Sequence, residues 1–267
     1  MRALILSDIH ANLEALQAVL AATAGQYDEL WNLGDLVGYG ASPNEVIELM
    51  RPVQDLVVRG NHDRVCCGLT SAAGFNPVAR AAAQWTGTSL TFENHAWLRS
   101  IPQGPVTSTE VSAVCSHGSP LDEDKYILNM RDAWSPLQQM TTQLTFFGHT
   151  HIQGGFAQSN HQWHELRPTI GRPRNATDER RSGAESWTIQ LTPGTRHLIN
   201  PGSVGQPRDF DWRAAYAILD IPGSPEGNEA TGNLTFHRVP YDLISSQGRI
   251  LMAGLPERLA IRLREGR

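Results

Sequence analysis

Short apolar runs alternate with helical patterns over the first sixty residues of the chain. ALIL from Ala3, ELWNL from Glu29 and DLVV from Asp55 have the length of strands, whereas NLEALQAVLAAT and SPNEVIELM carry apolar residues at helical spacing. A βαβαβ order is the expectation. Leu13, Leu16 and Leu20, with Ala18 and Val19 beside them, make one apolar stripe, while Ser42, Pro43 and Glu45 offer an N-cap, a proline at the first helical position and a capping box. From Pro77 to Leu98 the Ala- and Trp-rich sequence predicts one or two helices over the sheet edge, a lid or packing layer at 77–100.

After Pro105 the pattern turns to β: VSAVCS, LTFF, a hairpin through Gly154 and Gly155, HLIN, AAYAILD and NLTFHRV. A second sheet is the natural consequence. The stretch Pro168–Ser186 is polar, carries both charge signs and lacks an apolar period, so it reads as a surface loop or hairpin tip inside an insertion at 160–197, solvated rather than a basic substrate arm. The closing DLISSQGRILMAGLPERLAIRLREG predicts helix docked through Leu, Ile and Met. With no internal repeat, one domain over 1–267 is expected.

Composition narrows the classes. Hydrophobic residues make up 40% of 267, which suits a globular core, and Lys+Arg 22 against Asp+Glu 27 leaves −5, with no basic excess for strong nucleic-acid or anionic-membrane binding. Three cysteines, two of them adjacent, do not make a secreted disulfide framework. The apolar run in MRALILSD is too short for a signal-peptide core, and no run approaches the roughly 18 residues that span a bilayer. A soluble cytoplasmic protein is the expectation.

The informative feature is where the polar residues fall. ALILSDIH, ELWNLGD, DLVVRGNHD, VSAVCSHG and LTFFGHTH each place Asp, Asn or His just after an apolar strand. The carboxyl ends of strands form the ligand crevice of open α/β sheets, so these side chains are expected to converge. Asp8 and His10, like His149 and His151, are two apart and share a side of an extended segment. Gly34, Gly60, Gly118 and Gly148 adjoin them and suggest close backbone approach.

DxH at Asp8 and His10, GDLVGYG from Gly34, GNHD from Gly60, SHG around His117 and GHTH from Gly148 together resemble the calcineurin-like metallophosphoesterase superfamily. SDIHANLEAL, FNPVARAAAQWT to WLRSIP, and INPGSVGQPRD resemble a bacterial branch grouped with diadenosine tetraphosphate hydrolases and related phosphatases. The resemblance implies an α/β (α+β) four-layer αββα sandwich, with two mixed β-sheets flanked by helices. It implies two divalent or trivalent transition-metal ions, one held by Asp8, His10, Asp35 and His151, the other by Asp35, Asn61, His117 and His149, with Asp35 bridging. Nitrogen and oxygen donors suit Mn, Fe, Zn, Co or Ni. The implied reaction is hydrolysis of a phosphodiester or dinucleoside polyphosphate by a metal-bridged hydroxide. Asp35 and His62 are then the catalytic residues, His62 as general acid to the leaving oxygen or as donor to the phosphoryl group.

One departure limits the carry-over. The Ser/Thr protein phosphatases carry Asp and Arg where this chain has Gly38 and Tyr39, which weighs against phosphoprotein as substrate and leaves His62 without an orienting partner. Asp63 and Arg64 are candidates for orienting and phosphate contact, and Tyr39, Arg64 and Arg208 for substrate binding. The expected partner is a small phosphorylated molecule, a nucleotide above all. A phosphoprotein or phosphomonoester phosphatase, a non-catalytic metal-stabilised module and a nuclease are the rival readings. Cys66, Cys67 and Cys115 read as packed thiols rather than redox sensors, Trp85 and Trp97 as core rather than base-stacking platforms, and His95, His161, His164, His197 and His237 as ordinary surface or hydrogen-bonded histidines.

Overall fold

In the first strand, β1 (Arg2–Leu6), Leu4 and Leu6 point to one side and Ala3 and Ile5 to the other, and both sides are buried. Only a strand with a layer on each face needs such a continuous apolar run. The computed structural model describes residues 1–160, 162–170, 183–223 and 231–267. In chain order β1 is followed by α1 (Leu13–Ala22), β2 (Glu29–Asn32), α2 (Pro43–Met50), β3 (Leu56–Val57), α3 (Asn61–Cys66), α4 (Pro77–Ser89) and α5 (Phe92–Ser100). Next come β4 (Val106–Ser108), β5 (Ala113–Cys115), α6 (Met130–Gln139), β6 (Leu144–Phe146), β7 (Gly154–Ser159), β8 (Gln162–Leu166), β9 (Glu185–Leu191) and β10 (Arg196–Asn200). β11 (Ala214–Asp220), β12 (Gly232–Val239), α7 (Leu243–Met252) and α8 (Glu257–Glu265) complete the described order.

Two mixed six-stranded sheets result, ordered β3-β2-β1-β11-β12-β9 and β4-β5-β6-β10-β7-β8. Ala3, Ile5, Trp31, Phe146, Ile199 and Leu219 fill the space between them. Leu4, Leu6, Leu16, Val46 and Leu259 lie between the first sheet and its helices, and Ala133, Leu137, Phe156 and Leu198 between the second sheet and α6. This is the expected αββα sandwich. Within their sheets β1, β2 and β3 run parallel, as do β5 and β6, so the segments after them emerge together at strand carboxyl ends.

Several local expectations change. Ser42 caps no amide of α2: its backbone sits at ψ 54 rather than in the extended region, and its buried hydroxyl has no partner, so the capping box does not form. The α1 stripe is Leu13, Ala15, Leu16 and Val19, with Ala18 and Leu20 only half-buried. Gly154 and Gly155 are not a hairpin turn; they open β7, facing β10 and β8, and the chain reverses between Ser159 and Gln162. Strands β8 and β9, which form edges of the two sheets, flank the polar stretch, β9 beginning inside it at Glu185, while 171–182 lie outside the described residues. The closing helix is two, α7 and α8, docked by Leu243, Ile250, Leu255, Leu259 and Leu263 but not by Met252, which is 83% exposed.

Helix α6 had no sequence signal because Pro136 interrupts its pattern; Asn129 caps it by accepting from the amides of Arg131 and Asp132. Trp85 and Trp97 pack against the first sheet's helical core, in agreement with the core reading. Phe146 lies between the sheets, edge-on to Trp31 at 5.9 Å. Phe146→Ala should cost about 3–5 kcal/mol in denaturant unfolding, and a loss under about 1 kcal/mol would show that the sheets do not depend on this contact.

Candidate metal centre

Asp8, Asp35, Asn61, His117 and His149 each follow the end of a strand by a few residues, and folding brings them together. The pairs Asp8/His10 and His149/His151 do not achieve this by extended backbone. All four residues, and Asp35, have positive φ between 51° and 66°. Such left-handed backbone costs a non-glycine residue on the order of 1–3 kcal/mol and persists only where its surroundings impose it. Here the amide of Asp8 donates to the carbonyl of Gly34 at 3.0 Å, His10 to Asp35 at 2.9 Å and Ala11 to Leu36 at 2.8 Å. From the other side Ser203 Oγ donates to the Asp8 carbonyl at 2.7 Å.

Asp63 fastens the two central loops. Its carboxylate accepts from the amides of Asp35 at 2.8 Å, Val37 at 3.2 Å and Gly60 at 3.0 Å. It therefore holds the Asp35 loop against the start of α3, with no bond to the His62 ring. Gly60 is required there, since a Cβ would stand 2.0 Å from Asp35 Oδ1.

Each of three imidazoles points Nδ1 at a backbone carbonyl: His10 at Val37 (3.1 Å), His117 at Leu33 (2.8 Å) and His151 at Gln206 (2.6 Å). A carbonyl only accepts, so Nδ1 carries the hydrogen and Nε2 turns inward. His149 is turned the other way, its Nε2 on the carbonyl of Asp124 at 3.2 Å, which leaves Nδ1 as its remaining nitrogen. Burial holds His10 and His151 neutral, well below the usual histidine range, yet their Nε2 atoms lie 3.2 Å apart. Two lone pairs at that distance call for a positive charge between them. Asp8 Oδ1 and Asp35 Oδ2 are buried without a hydrogen-bond donor, 3.3 Å from His151 Nε2 and 3.4 Å from His117 Nε2.

Asp8, His10, Asp35 and His151 present ligand atoms all within 4.8 Å of one another, and so do Asp35, His117 and His149. Asn61 Oδ1 joins the second group, 3.0 Å from His117 Nε2. Without ions a proton takes part of their place. Burial works against charge on His117, but Asp35 outweighs it and raises His117 to about 10. Burial likewise opposes charge on Asp35, yet His117 and His62 hold its carboxyl well below the usual range. Burial raises Asp8 to about 7.

A sequence model of the calcineurin-like phosphoesterase superfamily domain matches residues 1–224. The chain belongs to that superfamily. It is a metal-dependent phosphoester hydrolase, and its buried nitrogen and oxygen donors fit a dinuclear transition-metal centre. A crystal structure of a metallophosphoesterase from Sphaerobacter thermophilus is similar at 38% identity and a TM-score of 0.76, covering 100% of this chain and 99% of that one. An uncharacterized protein of Methanocaldococcus jannaschii is 33% identical over 98% of this chain and 97% of its own length. A hypothetical protein of Pyrococcus horikoshii, 19% identical over 100% of this chain and 98% of that one, shares the fold at a TM-score of 0.72.

Other candidates of this phosphoesterase are placed as follows. Tyr39 and Arg208 stand beside the cluster: the Tyr39 ring is 4.7 Å from that of His10, and Arg208 Nη2 donates to its hydroxyl at 3.3 Å. Arg64 is ion-paired, binding Glu123 and, through two bonds of 2.7 and 2.8 Å, Asp124, whose carbonyl meets His149 Nε2. Cys66, Cys67 and Cys115 are buried, and burial pushes every one of the thiols up, opposite to what a redox sensor needs. His164 is exposed and His237 stacks on Tyr216, whereas His197 is buried on β10 with Nδ1 unpartnered; His161 lies outside the described residues. Among the described residues no helix is long and apolar enough to cross a membrane.

Two residues near the cluster lacked a sequence signal. Tyr126 stacks on His149 at 4.0 Å from an irregular segment, and Arg262 approaches Tyr39 from α8. Neither lies in a strand-end motif, and Arg262 reads as the polar side of an amphipathic helix.

The titration of the cluster has a stability consequence. His117 is raised from 6.5 to about 10, so the stability it contributes to metal-free protein is complete below pH 6.5 and lost as pH rises through 10. The lowered histidines, His62 at about 4 and His149 at about 3 among them, contribute above 6.5 and lose their share as pH falls. Chelator-treated protein should therefore melt at lower temperature at pH 9 than at pH 7, and manganese should flatten that dependence. Equal pH dependence with and without metal would show that no cation replaces the His117 proton.

Proposed function

We propose that this phosphoesterase hydrolyses a phosphodiester or a dinucleoside polyphosphate, with Asp8, His10, Asp35 and His151 holding one ion and Asp35, Asn61, His117 and His149 the other. The bridging role of Asp35 is supported by a single oxygen, Oδ2, which faces His10 Nε2 at 3.6 Å and His117 Nε2 at 3.4 Å, while Oδ1 accepts the His62 amide at 2.8 Å. A bound pair of such ions supplies an activated water and neutralises charge at phosphorus.

The observation that carries a small ester over a phosphoprotein is the setting of His62. Its ring lies 4.3 Å from that of Tyr39 and 4.5 Å from that of Phe75, and its Nδ1 is buried without a partner. Gly38, at φ 87, packs so closely that a Cβ would meet Nδ1 at 2.5 Å. There is no room at that position for the carboxylate of the Ser/Thr protein phosphatases, so aromatic packing orients this histidine instead. Burial lowers His62 to about 4, and a neutral ring at pH 7 favours the second of its two roles, an N–H donor to the phosphoryl group rather than a stored proton. Tyr39 and Arg208 would hold substrate beside it.

Asp35→Asn should lose both ions and turnover together, measured by metal analysis and a screen of activated diesters, nucleotides, dinucleoside polyphosphates, cyclic nucleotides and phosphopeptides. Normal activity at two ions per chain would refute the bridge. His62→Gln should keep the metals and lower kcat by roughly 10²–10³ whatever the leaving group. A loss that steepens as the leaving group worsens would make His62 a general acid, and phosphopeptides outpacing dinucleotides would overturn the substrate class.

A further inference from the structure

Helix α8 lies beyond residue 224, where the superfamily match ends, yet it approaches Tyr39, which stands beside the metal cluster. Leu259, Ala260 and Leu263 sink into the same core as Tyr39 and leave Arg262 at its margin, with Cζ 5.6 Å from the centroid of the Tyr39 ring. Arg208 Cζ lies 5.8 Å from that same centroid. The Tyr39 ring is itself 4.7 Å from His10 and 4.3 Å from His62, so both guanidiniums stand one side chain away from the reacting centre.

We infer that Arg208 and Arg262 form a subsite for a second, non-scissile phosphate, so that the preferred substrate carries a chain of two or more phosphates. This rests on the phosphoester reading above and selects the polyphosphate within it.

Both arginines are held in place. The amide of Arg208 donates to the carbonyl of His151 at 3.1 Å, Phe210 donates to the carbonyl of Gly266 at 2.8 Å, and Arg262 Nε donates to the main-chain oxygen of Arg267, the last residue of the sequence, at 2.8 Å. The end of α8 is thereby tied to the loop that carries Arg208. Unlike Arg64, Arg213, Arg238 and Arg249, neither one forms an ion pair with Asp or Glu among the described residues, and Arg208 Nε is buried without an acceptor. Burial, then the nearby Arg208, lowers Arg262 from its usual value, while Tyr39 works the other way.

Charge balance gives the class of ligand. Two divalent ions against Asp8 and Asp35 leave about +2, which the scissile phosphate and the attacking hydroxide can meet. The two guanidiniums add a further positive pair, and guanidinium suits phosphate oxygens through paired N–H bonds. A second phosphate would meet that pair; a simple monoester or diester would not.

The test uses full-length protein at one fixed free manganese concentration. Wild type should bind α,β-methylene adenosine diphosphate at least tenfold more tightly than adenosine monophosphate. Arg262→Gln should erase that preference, and Arg262→Lys should restore part of it. The ratio of kcat/KM on diadenosine tetraphosphate to that on bis(p-nitrophenyl) phosphate should fall at least tenfold in Arg262→Gln. Arg208→Gln, on a loop rather than the helix, carries the same expectation if the helix variant misfolds. Equal losses on both substrates would place the arginines on the scissile phosphate and overturn the subsite. Hydrolysis of neither substrate by metal-loaded wild type would sink the phosphoester reading, while the binding comparison would still decide the subsite.

Discussion

Two neutral imidazole nitrogens face each other at 3.2 Å, beside the buried Oδ1 of Asp8, which accepts no hydrogen bond. Left alone, such an assembly of buried lone pairs is repulsive, and each unsatisfied group costs desolvation energy of about 1–3 kcal/mol or more. Cations between them reverse the sign. Much of the surrounding architecture holds this arrangement: the left-handed turns at Asp8, Asp35 and His149, the three amides gathered by Asp63, and the backbone carbonyls that pin the imidazoles.

The same logic separates the ligands from the groups around them. His117 beside Asp35 gains a proton, because a fixed negative charge outweighs burial. His62, which meets aromatic rings and the bare edge of Gly38, stays neutral under the same burial. Two buried histidines near Asp35 thus have opposite charge preferences. That difference suits one to give way to a cation and the other to donate a hydrogen bond.

Charge is also distributed unevenly around the centre. Arg64 is neutralised by Glu123 and Asp124, whereas Arg208 and Arg262 meet at Tyr39 with no Asp or Glu partner among the described residues. A chain with a net charge of −5 can therefore still present a local positive field to an anionic substrate.

The strand-end motifs were legible because two apolar-buried faces demand continuous hydrophobic runs, and the polar residues that end those runs stand out against them. That pattern determined the order of the first elements and marked the strand ends as the place where polar side chains meet, while the αββα class and the choice of seven ligands came from the resemblance to the superfamily. The pattern could not determine how these side chains converge. Asp8 and His10 share a site through left-handed turns imposed by Gly34 and Asp35 rather than through an extended strand, and Asp63 binds amides rather than orienting His62. Arg262 and Tyr126 were invisible, since neither periodicity nor spacing marks a residue whose role comes from an element packed far away in sequence. Local pattern records what a segment must bury. Which side chains then meet across distant segments is decided by the packing of the layers, and only tertiary structure contains that.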